Sequence, residues 1–452
     1  MVLLTGDHLR WDHIRANGNE FIHTPAMDRI AREGVSMTGL HTVGVACSPN
    51  RGSLFTGRYP SVHGMLRNGI KMPESEYTLT NLLRDNGYYT GQMGKLHFWP
   101  HANRNHREYH PPYGFHQMRL SDEPGCYEDD FGRWLLAQGP EVRRKANVMM
   151  PGERGNFNYY VFEGDEKTTH AHWVASESIT FIEQAVKERA GQPFFLNAGF
   201  YHPHPPLNPP QSMLDLYKGK PLPKRRWDKG EVLSAPPVVA KALARLADTP
   251  ENTWDEYRRF FYAMVSELDR NVGRILDSLD RLGVADNTIV VMSSDHGDYL
   301  GDHNLVSKSA LPYDGSMRIP WLMRGPGVPK GAKSAGLCEM VDVMPTLLDV
   351  MGMKAPKGTQ GRSMKAAMSG GAGREYVFQE GVENRILKSK RAKYCFYASG
   401  QEVLFDLERD PDELRNVAGD SAARALRDEM RVALLKKSLE ARDPLPEPVA
   451  PY

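Results

Sequence analysis

Residues 287–303 read NTIVVMSSDHGDYLGDH. The apolar run from Ile289 to Met292 predicts a buried strand, and that strand ends at Asp295, His296 and Gly297. Just upstream, Trp254 to Leu282 predicts a long helix, because Phe261, Met264, Val265, Leu268, Val272, Ile275 and Leu279 recur at helical spacing. The same alternation repeats further out. HAHWVASESITFIEQAVKERAGQPFFLNAGF, from His170, gives an amphipathic helix, a glycine stop and a strand over Phe194–Ala198 that runs into Tyr201-His202-Pro203-His204-Pro205. TLTNLLRDNGYYTGQMGKLHF, from Thr78, gives a helix, a glycine turn and a strand ending near Gly94-Lys95. At the start of the chain, Val2–Thr5 is short and apolar and stops at Gly6-Asp7-His8. TPAMDRIAREG then predicts a helix over Pro25–Glu33, with Thr24 as its N-cap and Gly34 past its end. Helix and strand in alternation predict an α/β fold: a large, mostly parallel mixed sheet sandwiched by helices.

The pattern changes after about residue 355. EYVFQE, RILKSKRAKYCFY and EVLFDLERDPDE are short runs rich in β-branched and aromatic residues at hairpin-like spacing, and a charged helix over Ala422–Ala441 follows. Residues 1–355 therefore read as a catalytic α/β unit. Residues 356–452 read as a smaller antiparallel sheet with a helix and a Pro-rich tail, DPLPEPVAPY. Residues 100–170, rich in His, Pro, Gly and aromatics, read as long loops over a site.

The chain has 452 residues, 25% charged, with a formal net charge of +1, so neither nucleic acid nor an anionic membrane is an expected partner. No apolar run is long enough to cross a bilayer, and MVLLTGDHLR lacks the basic and apolar regions of a signal peptide. A cytoplasmic location is the expectation. Four widely spaced cysteines with no CxxC pair weigh against a thiolate zinc site and a disulfide framework. Cys126, Cys338 and Cys395 read as small buried hydrophobes.

In a parallel sheet the strand ends share one edge. That edge would gather Asp7-His8, Lys95 with His97, and Asp295-His296, with His204 and the Cys47 segment close by. Asp and His together suit a divalent cation, and lysine and arginine beside it suit an anionic oxyester. Each residue has a plainer use. Asp7 could cap a helix, His97 and His204 could be structural, Arg51 could pair with an acid, and Lys308 could sit in solvent. The joint pattern weighs against those uses.

CSPNRGSLFTGRYPSVHG, from Cys47, resembles the sulfatase signature: Cys or Ser, x, Pro, x, Arg, then Leu-x-Thr-Gly-Arg. LLTGDHLRWDHIRANGN, TGQMGKLHF, FYHPHPP, SSDHGDYLGDHNLVSK and VLFDLERDPDELRNVA resemble further elements of that family, in family order. The resemblance implies an alkaline phosphatase-like fold and Cys47 oxidised to Cα-formylglycine by a formylglycine-generating enzyme. It implies one divalent metal, with Asp7, His8, Cys47, Asp295 and His296 at or beside ligand positions. Calcium fits an oxygen-rich set, and manganese fits better if His8 and His296 both coordinate. By the same resemblance, Lys95 and Lys308 neutralise the sulfuryl oxygens, and His204 with Lys308 serves the leaving alkoxide. His97 takes the proton that collapses the intermediate. Arg51 and Asn68 hold the diol and substrate oxygens.

The implied activity is hydrolysis of a small-molecule sulfate ester to alcohol and sulfate. Phosphonate monoester or phosphodiester hydrolysis with the same nucleophile is the alternative, and a non-catalytic binding protein of the same fold is a third reading. The leaving-group pocket is expected from Trp99 to Pro124, with His101, His106, His110, Tyr109, Tyr113 and His116. A homo-oligomer is left open.

Overall fold

The computed structural model describes residues 1–100, 110–146 and 157–446. The central sheet is built from β1 (Val2–Gly6), β2 (Val35–Met37), β3 (Tyr89–Gly94), β4 (Gln117–Leu120), β5 (Phe194–Gly199), β6 (Val290–Ser294), β7 (Trp321–Arg324) and β8 (Ala332–Ser334). Its order is β4-β3-β5-β1-β6-β7-β2-β8. Neighbours from β4 to β6 run parallel, while β7 is antiparallel to both β6 and β2.

Both faces of the sheet are covered, so its central strands β1, β5 and β6 are buried along their whole length. Val2 and Leu4 of β1 point into a core shared with α1 (Pro25–Glu33), α3 (His170–Glu188) and α4 (Glu251–Arg281). Leu3 points the other way, into a core shared with α2 (Cys47–Thr56). Four antiparallel strands follow: β9 (Val377–Glu380), β10 (Asn384–Lys388), β11 (Ala392–Tyr397) and β12 (Glu402–Asp406). The helix α5 (Arg424–Glu440) packs on them, and Tyr394, Leu404 and Met430 enter the same core as Leu3 and Trp321.

Register decides where the polar turns go. Gly6 is opposite Ser294, Thr5 is opposite Gly199, and Gly94 is opposite Gly199. The turns after β1, β3, β5 and β6 therefore leave the sheet at one edge. Two glycines let them crowd there. A Cβ on Gly199 would lie 1.9 Å from the Lys95 carbonyl oxygen, and Gly94, at φ +83°, would put one 2.1 Å from the Gly199 oxygen.

Three local expectations need correction. Residues 100–170 are not all loop: β4 and helices at Asp130–Gln138 and Pro140–Ala146 lie inside them. Their signal is short, with Phe131 and Leu135 buried on one face of the first helix and no longer period to read. Thr24 sits at the N-cap of α1 but its side chain does not cap it; Asp269 of α4 accepts from the Ala26 and Met27 amides instead. Cys338 and Cys395 are buried, but Cys126 is only half-buried.

Candidate active site

Cys47 is the first residue of α2, a helix buried along its whole length. Pro49 lies in the first turn, where a missing N–H breaks no helical bond. Asn50 zips the loop that enters the helix: its Oδ1 accepts from the Val43 and Gly44 amides, and its Nδ2 donates to the Gly44 and Ala46 carbonyls. Arg51 ties the strand ends together. Its Nε donates to Asp295 Oδ2 at 2.8 Å and its Nη1 to the Lys95 carbonyl at 3.1 Å, while Nη2 lies 3.4 Å from the Gly6 carbonyl.

One ligand atom from each of Asp7, Cys47, Asp295 and His296 lies within 4.8 Å of the others. His296 shows what the cluster suits. Its Nδ1 faces the Gly297 carbonyl, an acceptor, so Nδ1 carries the proton. The Nε2 lone pair then points at Cys47 Sγ (3.1 Å), Asp7 Oδ1 (3.4 Å) and Asp295 Oδ1 (3.7 Å). A lone pair facing carboxylate oxygens is repulsive unless a positive charge lies between them. The donor set, two carboxylates and an imidazole with position 47, fits a divalent cation. Burial lowers the His296 pKa, but Asp295 and Cys47 outweigh it and the net shift is upward, so these groups favour a positive charge at Nε2, whether a bound cation or a proton on the ring.

Around this cluster sit the cations. Lys95 Nζ is 2.6 Å from Asp7 Oδ2, with both side chains buried. Burial alone would raise the Asp7 carboxyl, but the Lys95 ammonium, helped by His204, His8 and His296, holds it well below the usual range. Lys308 Nζ faces His8 Nε2 at 2.8 Å and His204 Nε2 at 3.3 Å. Burial lowers the Lys308 pKa, and Cys47 and Asp7 more than restore it. Burial and Asp7 push the Cys47 thiol up; Lys308, His296 and Lys95 prevail and bring it below the ordinary value. Asn68 Oδ1 accepts from the Ser48 amide, and its Nδ2 is 3.9 Å from Cys47 Sγ.

His8 is placed at the rim of the four-atom cluster. It forms a second group with Asp7 and His204. Its Nδ1 is 2.7 Å from Asp298 Oδ2, and its Nε2 is 3.8 Å from Asp7 Oδ1 and takes the bond from Lys308. His204 Nδ1 donates to the Pro205 carbonyl, which leaves Nε2 as the acceptor toward Lys308. His97 is buried in the turn after β3, and its amide donates to Asp122 Oδ1.

The expected leaving-group loop is divided. His101, His106 and Tyr109 lie outside the described residues. Tyr113 is core: its ring meets Phe98 edge-on and its hydroxyl donates to the Met72 carbonyl. His116 bonds to Thr90, near the start of β3 and so away from the catalytic edge. His110 bonds to the Pro111 carbonyl, with its ring near Trp99.

Some contributors carry little sequence signal. Asp298 orients His8 through Oδ2, and its Oδ1 accepts from the Leu300 and Ser307 amides, so it also fixes the loop that presents Lys308. It lies in the 295–298 run Asp-His-Gly-Asp, yet nothing in the spacing separates it from a turn residue. Glu267, in the middle of α4, pairs with His202, whose carbonyl accepts the Asp7 amide. Tyr201 puts its ring 5.3 Å from Lys95 Nζ.

A family model described as "Sulfatase" matches residues 1–353, and one described as "N-sulphoglucosamine sulphohydrolase, C-terminal" matches residues 301–440. An arylsulfatase of Clostridium perfringens is 30% identical, covering 98% of this chain and 95% of its own length. The multifunctional alkaline phosphatase superfamily protein PehA of Trinickia caryophylli is 29% identical over 94% of this chain and 92% of its own. Among solved structures, the phosphonate monoester hydrolase of Agrobacterium radiobacter superposes with a TM-score of 0.84 at 25% identity, covering 98% of this chain and 96% of that one.

Proposed function

The chain belongs to the sulfatase family, and from that premise we propose that it hydrolyses sulfate esters to an alcohol and inorganic sulfate, with a formylglycine made from Cys47 as nucleophile. The observation that carries the proposal is the meeting of Cys47 with Asp7, Asp295 and His296 at the start of a buried helix. Cys47 Sγ stands where an oxygen of the hydrated aldehyde would stand. A divalent cation held by Asp7, Asp295 and His296 would supply Lewis acidity that favours the ionised form of that hydroxyl.

The chain's own residues do the rest. Asn68 holds the Ser48 amide and approaches the side chain of residue 47, and Arg51 ties Asp295 to the strand end at Lys95. The hydroxyl oxygen attacks sulfur opposite the alcohol; an S–O bond forms and the S–O bond to the alcohol breaks. Lys308 donates toward the Nε2 atoms of both His8 and His204, so it is the proton carrier of this group, and it serves the departing alkoxide alongside His204. The second hydroxyl then gives its proton to a base, for which we assign His97. Its C–O bond becomes the carbonyl, sulfate leaves, and water rehydrates the aldehyde.

Family membership supports a sulfate ester. Lys95 pairs with Asp7 and Arg51 with Asp295, whereas Lys308 faces two imidazoles and no carboxylate. That leaves Lys308 for the oxygens of an anionic ester, a role that sulfate esters, phosphonate monoesters and phosphodiesters, all monoanions, would share. The likeness to a phosphonate monoester hydrolase favours phosphonate monoesters as a second substrate class. The test is a hydrolysis panel of aryl sulfate, sugar sulfates, choline sulfate, a phosphonate monoester and a phosphodiester. The enzyme is co-expressed with a formylglycine-generating enzyme, and the mass of the residue-47 peptide is recorded. A formylglycine-bearing protein that cleaves the phosphonate far faster than every sulfate would overturn the sulfate reading.

Asp298→Asn tests the arrangement of His8 and Lys308. An amide keeps the shape but loses the charge that holds His8 Nδ1–H. We expect kcat to fall about 10- to 100-fold, with KM changed much less. Steady-state kinetics on an aryl sulfate check this, and wild-type kcat in a folded variant would refute it.

A further inference from the structure

Behind the first catalytic turn lies a second, separate pocket of about 380 Å³, lined by Trp11, Phe21, Lys224, Arg258 and Tyr262 among others. Its floor is charged but settled. Arg10 donates to both Asp12 oxygens and to Asp302 at 2.8 Å, and to the Asp298 and Tyr299 carbonyls at 3.0 and 2.9 Å. Arg226 supports the same two carboxylates at 3.2 and 3.4 Å and also meets the exposed Asp412. Arg10 and Arg226 thus answer Asp12 and Asp302, and two cations of the pocket wall are left over.

Arg258 is the unusual one. It projects from the buried side of α4, and its side chain is only 7% exposed. Among the described residues its guanidinium makes no hydrogen bond. Its nearest carboxylate, Asp255, lies 3.8 Å away and is itself 59% exposed, so water screens it. Burying a guanidinium without hydrogen bonds is costly, and a pocket at its tip is where a partner would relieve that cost. Lys224 stands exposed at the rim. The remaining wall is aromatic: Tyr262 is buried, with its hydroxyl held by Asn19, Trp11 is half-buried with the Arg318 guanidinium stacked on one face, and Phe21 is 45% exposed. The volume exceeds what a bare inorganic anion fills and falls within the range of small organic ligands.

We propose that this pocket binds an organic oxyanion, a sulfate, sulfonate or carboxylate carried on a ring-sized body, with Arg258 and Lys224 taking the anion and Trp11 and Phe21 the ring. The site does not depend on the hydrolytic reading of Cys47. It meets the catalytic edge through Arg10, which spans from the pocket floor to the Asp298 carbonyl, and through Leu300, whose amide donates to Asp298 Oδ1.

Calorimetric titration with benzenesulfonate tests it, because that probe has no ester to cleave. Wild type, Arg258→Gln and Lys224→Met are titrated in parallel, with circular dichroism as the check on folding. Crystals soaked with the same probe locate it. We expect density for the sulfonate against Arg258, binding at this site weakened roughly tenfold or more in Arg258→Gln, and a smaller weakening in Lys224→Met, a rim change that leaves the core alone. Inorganic sulfate should bind here more weakly than benzenesulfonate. Three results would overturn the proposal: folded Arg258→Gln and Lys224→Met that both titrate like wild type, a sulfonate found only beside Cys47, or inorganic sulfate binding as tightly as the aryl sulfonate.

Discussion

Replacing Cys47 by alanine lowers turnover of an aryl sulfate by about four to six orders of magnitude, while the protein stays folded. The size follows from what the position supplies. Its sulfur lies 3.8 Å from Asp7 Oδ1 and 3.1 Å from His296 Nε2, where the attacking atom would have to stand. The surrounding lysines can still bind an anionic ester, so KM changes far less than kcat. Cys47→Ser separates the two halves of the cycle. Serine offers one oxygen, so it can take the sulfuryl group but has no second hydroxyl with which to expel it. A single burst of alcohol, equal to the enzyme present, and a protein heavier by one sulfuryl group are the expected results. Sustained turnover by the serine variant would show that the second hydroxyl is not needed. Full activity in the alanine variant would remove Cys47 from the chemistry altogether.

The fold was legible because its signals are long or repeated. The run Ile289–Met292, the helical period from Phe261 to Leu279 and the alternation of helix with strand are each set by burial on both faces of one sheet. The site was legible where a polar residue directly follows a buried strand, as Asp7, Lys95 and Asp295 do. What stayed hidden acts across the fold. Asp298 matters because His8, 290 residues away in sequence, turns its Nδ1 toward it, and Glu267 matters only through His202. Neither pairing leaves a local pattern. Tyr113 misled for the opposite reason: an aromatic in a Pro-rich stretch looks like pocket lining, but its hydroxyl finds a backbone carbonyl and its ring finds Phe98. Thr24 shows the same limit at the level of a helix cap, since Asp269 of another helix does the capping.

Asp7→Ala carries the second large effect, and it acts on stability as well as rate. The carboxylate is fully buried, 2.6 Å from Lys95 Nζ on one side and 3.4 Å from His296 Nε2 on the other. Its removal takes one of the donors that suit a cation, and turnover should fall about a thousandfold or more. It also leaves the Lys95 ammonium, itself 1% exposed, without its counter-charge. Breaking one side of a buried pair costs about 3–5 kcal/mol, an upper range here because Lys95 can shed its proton. That escape fixes the pH signature. Burial lowers the Lys95 pKa, but in the wild type Asp7, together with Cys47 and Glu123, outweighs it and the net shift is upward; its contribution is fully present below the unfolded lysine pKa and is lost only as pH rises through the higher folded value. Without Asp7, burial prevails and the folded pKa falls below the unfolded one. The unfolded chain then binds more protons between those values, so the variant gains stability as pH rises toward that of free lysine. Urea unfolding at several pH values between neutral and moderately alkaline measures this slope. The double variant Asp7→Asn with Lys95→Met removes both charges and should recover most of the lost stability while staying inactive. An Asp7→Ala protein as stable as wild type, with no added pH slope, would mean that Lys95 does not depend on Asp7 for its place in the fold.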